Sequence, residues 1–278
     1  MEKPVTVPDI LLAKGGRKLT MLTASDACLG RIVDQAGADM VLVGDSLAMV
    51  ALGMPDTLGV GLETMLLLTR AVSSSVSRAL VVGDMPFLSY QPSDEMAVIS
   101  AGRFLAEGKA SAVKVEGGAR MLPRIRAMLA ADIPVMGHIG LTPQSMARMG
   151  GFKVQAKTAE TARILVDDAI ALAETGCFAL VLEGIPGEVA RLVTEACPVP
   201  TIGIGAGPHC DGQVLVVQDV LGLFERFTPK FVKRYANLAQ TARDALAAFK
   251  ADVESGAFPG PEHTFHLKDE EKAKLGGE

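Results

Sequence analysis

The sequence predicts an α/β protein, a single (β/α)8 barrel, and three observations carry that prediction. Eight short apolar runs are spread along the 278 residues, helical patterns alternate with them, and acidic residues or a histidine recur just past the ends of the runs. The runs lie at 20–24, 40–44, 79–83, 112–115, 133–137, 179–182, 200–204 and 214–217. Most are apolar at successive rather than alternate positions, as strands are when helices cover one face and a packed barrel interior the other. A doubly wound sheet is the rival, but it usually has fewer strands and reverses strand order once.

Taken in order, the segment before residue 20 forms a short helix that closes the bottom of the barrel. LTMLTASD ends the first run at Asp26 and leads into a weak helical pattern at 27–37. MVLVG is followed by Asp45 and Ser46, and then by a helix at 63–77. ALVVG is followed by Asp84, and Ser93 caps a helix at 94–107 that Gly108 stops. AVKV leads to Glu116 and a helix at 119–131. PVMG leads to His138 and then to LTPQSMARMGGFKVQAKT, which is longer than a usual strand-to-helix connection and reads as a lid. A helix at 158–175 stops at Gly176, ALVL leads to Glu183, and a weaker helix follows at 186–196. The last long helix is expected at 229–254. One barrel with its N-terminal helical cap spans 1–266, and the charged residues 267–278 are expected to be a disordered tail.

Composition narrows the function. A hydrophobic content of 49% is ample for a large core, while the absence of tryptophan and an aromatic content of 4% leave no stacking surface for nucleic acid. A net charge of −5, mixed in sign along the chain, gives little attraction to anionic polymers or membranes. Cys28, Cys177, Cys197 and Cys210 have no CxxC spacing and read as reduced thiols. His209 and Cys210 adjoin, but no second Cys/His pair lies nearby, which favours a plain loop over a metal site. No apolar stretch reaches signal-peptide or transmembrane length, so a cytoplasmic protein is expected.

A parallel barrel gathers the carboxyl ends of its strands at one mouth, which turns scattered residues into a single site. Asp45, Asp84 and Glu116 supply only carboxylate oxygens, so a cation they share is a hard one such as Mg²⁺, and zinc is the poorer fit. Each acid alone can instead cap a turn or pair with a loop cation; together they repel one another unless a cation or protons neutralise them. Lys114 lies two residues before Glu116 and points the same way, either to anchor a substrate carboxylate or to pair with Asp84 or Glu116. His138 has a substrate-binding reading and a structural one. Glu183, apart from the three acids, is free to be a general base or merely to orient His138. The glycine-rich GIGAG at 203–207 lets backbone approach a ligand closely but lacks the dinucleotide spacing.

VGDS at 43–46, GDMPF at 83–87, VKVEGG at 113–118, GHIGLTPQ at 137–144, GGFKVQ at 150–155, LVLEGIP at 180–186, IGIGAG at 202–207 and DGQVLV at 211–216 closely resemble the 3-methyl-2-oxobutanoate (ketopantoate) hydroxymethyltransferase family, in order, from about residue 6 to His266. The resemblance implies a (β/α)8 TIM barrel of the phosphoenolpyruvate/pyruvate type. It also implies transfer of a one-carbon unit from 5,10-methylenetetrahydrofolate to 3-methyl-2-oxobutanoate through a Mg-stabilised enolate, giving 2-dehydropantoate for pantothenate biosynthesis. On the matching positions it implies Asp45, Asp84 and Glu116 as Mg²⁺ ligands, Asp45, Ser46, Asp84 and Lys114 as keto acid contacts, and Glu183 as proton acceptor. His138 joins the substrate contacts on position. A homo-oligomer, commonly a decamer, is also implied. Ser25 departs from the family pattern, and LGLFERFTPKF follows it only loosely. Two alternatives are a Mg-dependent carbon–carbon lyase of the isocitrate lyase type, whose KKCGH-like cysteine motif is missing here, and a catalytically silent ligand-binding barrel.

Overall fold

The computed structural model describes residues 3–275. In chain order its elements are α1 (Val7–Leu11), β1 (Leu19–Thr23), α2 (Ala27–Gln35), β2 (Met40–Val43), α3 (Leu47–Val50), α4 (Leu62–Ser73), β3 (Leu80–Asp84), α5 (Asp94–Ala106), β4 (Ala112–Glu116), α6 (Leu122–Ala130), β5 (Val135–Gly140), α7 (Met146–Met149), α8 (Ala159–Thr175), β6 (Ala179–Glu183), α9 (Gly187–Ala196), β7 (Thr201–Ile204), β8 (Gly212–Leu215), α10 (Val217–Val220), α11 (Leu238–Ser255) and α12 (Asp269–Lys274). The eight strands are all parallel and close into a barrel in sequence order, β8 pairing back to β1 through Met21 and Val214.

Strand period divides the core in two. Leu19, Met21, Met40, Leu42, Leu80, Val82, Ala112, Met136, Ala179, Val181, Ile202 and Val214 pack inside the barrel, while Val41, Val43, Val81, Val113, Val115, Leu180 and Leu182 pack outward under the helices. Ile10 of α1, fully buried, joins the inner cluster and stops it at the bottom. Outside, α5 lies so close to β3 that a Cβ on Gly83 would stand 2.4 Å from Phe104, so only glycine fits there.

Three buried carboxylates lock the N-terminal ends of strands. Asp34 accepts from the backbone N–H groups of Ser77, Arg78 and Ala79 on the way into β3. Asp39 accepts from Thr20 N–H and from both terminal nitrogens of Arg17, and Asp211 accepts from the Gly15 and Thr201 N–H groups and from Lys14. Burial opposes their ionisation, but these donors outweigh it and hold all three below the usual carboxylate range.

Two expectations need correction. The helix expected at 229–254 begins only at Leu238. Residues 222–236 instead form a loop closed by Tyr235 N–H to Val220 O and Leu238 N–H to Leu221 O, which ties this stretch back to the end of α10. In the tail, where disorder was expected, Asp269–Lys274 forms α12, with three acids in its first turn and Lys–acid pairs three residues apart. The remainder of that tail, 276–278, lies outside the described residues. Among the described residues no helix is long and apolar enough to cross a membrane.

Candidate active site

The alternation that fills the barrel also builds the site. Asp84 continues the inward positions of Leu80 and Val82; Lys114 and Glu116 continue from Ala112; His138 follows Met136; Glu183 follows Ala179 and Val181. Each side chain therefore points into the barrel one layer above the apolar core. Asp45 and Ser46 arrive from the turn between β2 and α3. All seven line one cavity of about 690 Å³ at the C-terminal mouth.

Inside it the charged groups are packed together and almost wholly buried. Lys114 Nζ is 2.8 Å from Asp84 Oδ1, 3.6 Å from Glu116 Oε1 and 3.1 Å from His138 Nδ1. Asp45 N–H donates to Asp84 Oδ2. His138 Nδ1 is 3.3 Å from Glu116 Oε1, and its Nε2 is 3.2 Å from Glu183 Oε2. Burial, Asp84 and Glu116 push the Asp45 carboxyl well above the usual range, and burial with Glu116 raises Asp84 despite the Lys114 charge. Glu116 moves the other way, because Lys114, His138 and a backbone N–H outweigh its burial. Burial and the Lys114 charge oppose protonation of His138, yet Glu116 and Glu183 prevail and push its pKa up to about 9.

Among the described residues no three His, Cys, Asp or Glu side chains stand close enough to enclose a metal ion by themselves. The acids converge on one mouth, but Lys114 stands among them. Asp84 Oδ1 and Glu116 Oε1 are nevertheless buried without an aligned hydrogen bond. Two such oxygens in an all-carboxylate set fit Mg²⁺, which takes one or two protein carboxylates and fills its other positions with water or a chelating substrate.

The sequence reading missed the residue that ties this set together. Gln144 donates its backbone N–H to Glu116 Oε2 and its Nε2–H groups to Asp45 Oδ2 and Met85 O, while its Oε1 accepts from Tyr90 and Gln91. Every valence of the amide is used, which fixes its orientation. Tyr90, also fully buried, accepts from Glu116 N–H. The only signal in the sequence is the polar residue in TPQ just past β5.

Other candidates fall away from the mouth. Asp26 caps α2, accepting from Leu29 N–H. Cys210 is buried and His209 exposed, so the adjacent pair does not converge on a shared ligand. The long connection after β5 folds partly into α7, and its Phe152, Lys153 and Val154 line the cavity.

Residues 4–261 match the family model described as ketopantoate hydroxymethyltransferase. A relative from Syntrophobacter fumaroxidans (strain DSM 10017 / MPOB), named 3-methyl-2-oxobutanoate hydroxymethyltransferase, is 61% identical over 277 residues, covering 100% of this chain and 98% of its own. One of the same name from Oleidesulfovibrio alaskensis (strain ATCC BAA-1058 / DSM 17464 / G20) is 53% identical over 272 residues, covering 98% and 94%. Among solved structures, a phosphonopyruvate hydrolase superposes with a TM-score of 0.60 at 15% identity, covering 98% of this chain and 95% of its own. An oxaloacetate acetylhydrolase with bound 3,3-difluorooxalacetate gives 0.59 at 14%, covering 100% and 99%. At such identity these two likenesses speak for the barrel alone.

Proposed function

The chain belongs to the ketopantoate hydroxymethyltransferase family and is a hydroxymethyl-transferring enzyme; from that premise we propose that it moves a one-carbon unit from 5,10-methylenetetrahydrofolate to 3-methyl-2-oxobutanoate, giving 2-dehydropantoate and tetrahydrofolate for pantothenate biosynthesis. The observation that carries this reading is the division of labour within one cavity. Asp45, Asp84, Lys114 and Glu116 are buried together, while Glu183, across the mouth on β6, keeps a side chain 17% exposed to the space a substrate would fill.

Asp45, Asp84 and Glu116 are the residues to hold Mg²⁺, which when bound polarises the keto acid carbonyl and stabilises the enolate. Ser46, Lys114 and His138, with Asp45 and Asp84, hold the anionic end of the keto acid, so that its branched carbon faces Glu183. Glu183 takes the proton from that carbon as the C–H bond breaks. The carbon then bonds to the donated methylene carbon, whose bonds to the folate nitrogens break. Water supplies the hydroxyl oxygen, and the folate nitrogens take back protons.

We further propose a homo-oligomer in the cytoplasm. The four cysteines are all free, as in a reducing compartment. The helical ring packs α2 on α4, α4 on α5, α5 on α6, α6 on α8 and α8 on α9, while α11, 18 residues long, has no buried residue. Leu246, Phe249 and Val253 form an exposed apolar stripe along α11, which a second copy of the chain would cover.

The test is Asp84→Ala. Keto acid affinity measured calorimetrically with and without Mg²⁺ should lose its metal dependence in the variant, and chelator should abolish wild-type turnover. An unchanged metal response in Asp84→Ala would remove that residue from the cation site.

A further inference from the structure

The cavity is far larger than a small branched keto acid, and its outer part is unlike its floor. At about 690 Å³ it falls in the range of sites that hold drug-sized ligands, roughly 300–1,000 Å³. Its apolar wall comes from the loop after α10: Phe224 and Phe227 meet edge to face at 5.2 Å, and Phe227 and Phe231 are 47% and 41% exposed. Such rings in solvent, gathered at a cavity, mark a surface that another molecule covers. Beside them the wall is backbone. Phe231 lies against Gly205, where a Cβ would stand 2.8 Å from its ring, and the glycines after β6 and β7 meet at Gly187 and Gly207. Phe231 packs directly on Gly205, so phenyl rings and glycine backbone form one apolar face of the cavity on which a flat ligand can lie.

One carboxylate of α10 lines the same cavity as these rings. Asp219 is 7% exposed and lines the cavity, and no described residue donates a hydrogen bond to its carboxylate. Burial pushes its carboxyl up even with Arg234 nearby to pull it down. Its position is held firmly: Val217 N–H donates to Thr23 Oγ1 and Gln218 Nε2 to Ser25 Oγ, tying α10 to the end of β1. Arg234 in turn donates to Phe224 O and Thr228, keeping the aromatic loop folded over the same space. The Asp219 carboxylate oxygens open onto the cavity, where the N–H groups of a ligand can take the place of water.

We infer that Asp219 is the recognition group for the cosubstrate's reduced pterin, accepting the ring N–H and the 2-amino N–H of its aminopyrimidinone edge while the ring lies on the apolar face that the phenylalanines and the Gly205–Gly207 turn give this cavity. Two parallel donors matched to two carboxylate oxygens is the pairing that gives both strength and orientation. Lys153 and Lys230 at the same mouth add positive charge for the anionic end of the cosubstrate. This assignment rests on the methylenetetrahydrofolate donor proposed above and gives it a place beside Glu183.

The test separates the two half-sites. In Asp219→Asn and Asp219→Ala, tetrahydrofolate binding followed by calorimetry should weaken at least tenfold, and the KM for methylenetetrahydrofolate should rise in parallel. The KM for keto acid and the Mg²⁺-dependent exchange of its C3 proton in deuterated water should stay within about twofold of wild type. Replacing the 2-amino group of a tetrahydropterin probe by methyl should weaken binding to wild type and not to Asp219→Ala. As a second variant, Phe227→Ala at an exposed ring should weaken tetrahydrofolate binding several-fold. Unchanged tetrahydrofolate affinity in the Asp219 variants, or equal loss of C3 exchange, would overturn the assignment. A wild-type enzyme that exchanges the C3 proton yet neither binds tetrahydrofolate nor uses its methylene derivative would instead sink the donor reading itself.

Discussion

Glu183 and Gln144 show how differently two side chains can serve one cavity. Glu183 is partly exposed and touches His138, so its carboxylate can reach a proton on a substrate. Glu183→Gln should retain Mg²⁺ and keto acid binding while C3 proton exchange into deuterated water falls by roughly 10²–10⁴; undiminished exchange would remove it from the base role. Gln144 is buried and fully bonded, its side-chain amide holding Asp45 and its backbone N–H holding Glu116. Gln144→Leu removes the donor to Asp45 and Met85 O, leaves Gln91 Nε2 without its acceptor and leaves Tyr90 only Glu116 O to donate to. We expect the KM for keto acid with Mg²⁺ to rise about tenfold, with the KM for methylenetetrahydrofolate little changed. Equal changes in both would point to a general loosening of the mouth. The sequence made Glu183 legible because it follows an apolar strand. Gln144 was illegible, since its importance lies in five partners from three other segments of the chain.

At the scale of elements, all eight strands were readable because burial on both faces leaves an uninterrupted apolar signature, while their ends shifted, β5 running on to Gly140 and β8 stopping at Leu215. What the pattern did not show is how the opposite strand ends are locked. Asp34, Asp39 and Asp211 clamp strand entrances while Asp45 and Asp84 stand at strand exits, and only the tertiary contacts distinguish the two settings. Their folded-state pKa values lie below the unfolded value of about 3.9, so the stability they contribute is present above that pH and is lost as pH falls through the lower folded values. Asp39→Asn should cost about 2 kcal/mol at neutral pH, with one charged bond to an exposed Arg17 discounted. The gap between wild type and variant should narrow in chemical denaturation as the pH is taken below 4. A gap that persists unchanged at low pH would mean that Asp39 acts through shape instead of charge. Helix ends were less legible than strands. Residues 229–237 stay out of the last helix because Tyr235 and Leu238 bond back to the end of α10, and Phe231 of that stretch lines the cavity.

For the whole molecule, the length, the mild charge and the alternating pattern led to one barrel, and that barrel is what the chain forms. Self-association is a property of the assembled surface. Leu246→Glu with Phe249→Glu, both on exposed positions of α11, should leave the monomer folded by circular dichroism but lower the mass measured by light scattering; an unchanged mass would exclude the α11 stripe as the contact. The sequence by itself determined the fold class, the eight strands and the residues at their carboxyl ends, because strand period and apolar burial are local properties written into neighbouring positions. Only the tertiary structure decided that Lys114 stands among the acids, that Gln144 joins Asp45 to Glu116, and that Asp219 lines the same cavity as Phe224, Phe227 and Phe231. Those relations join residues far apart in the chain, and they exist only once barrel closure has brought the strand ends within hydrogen-bond reach.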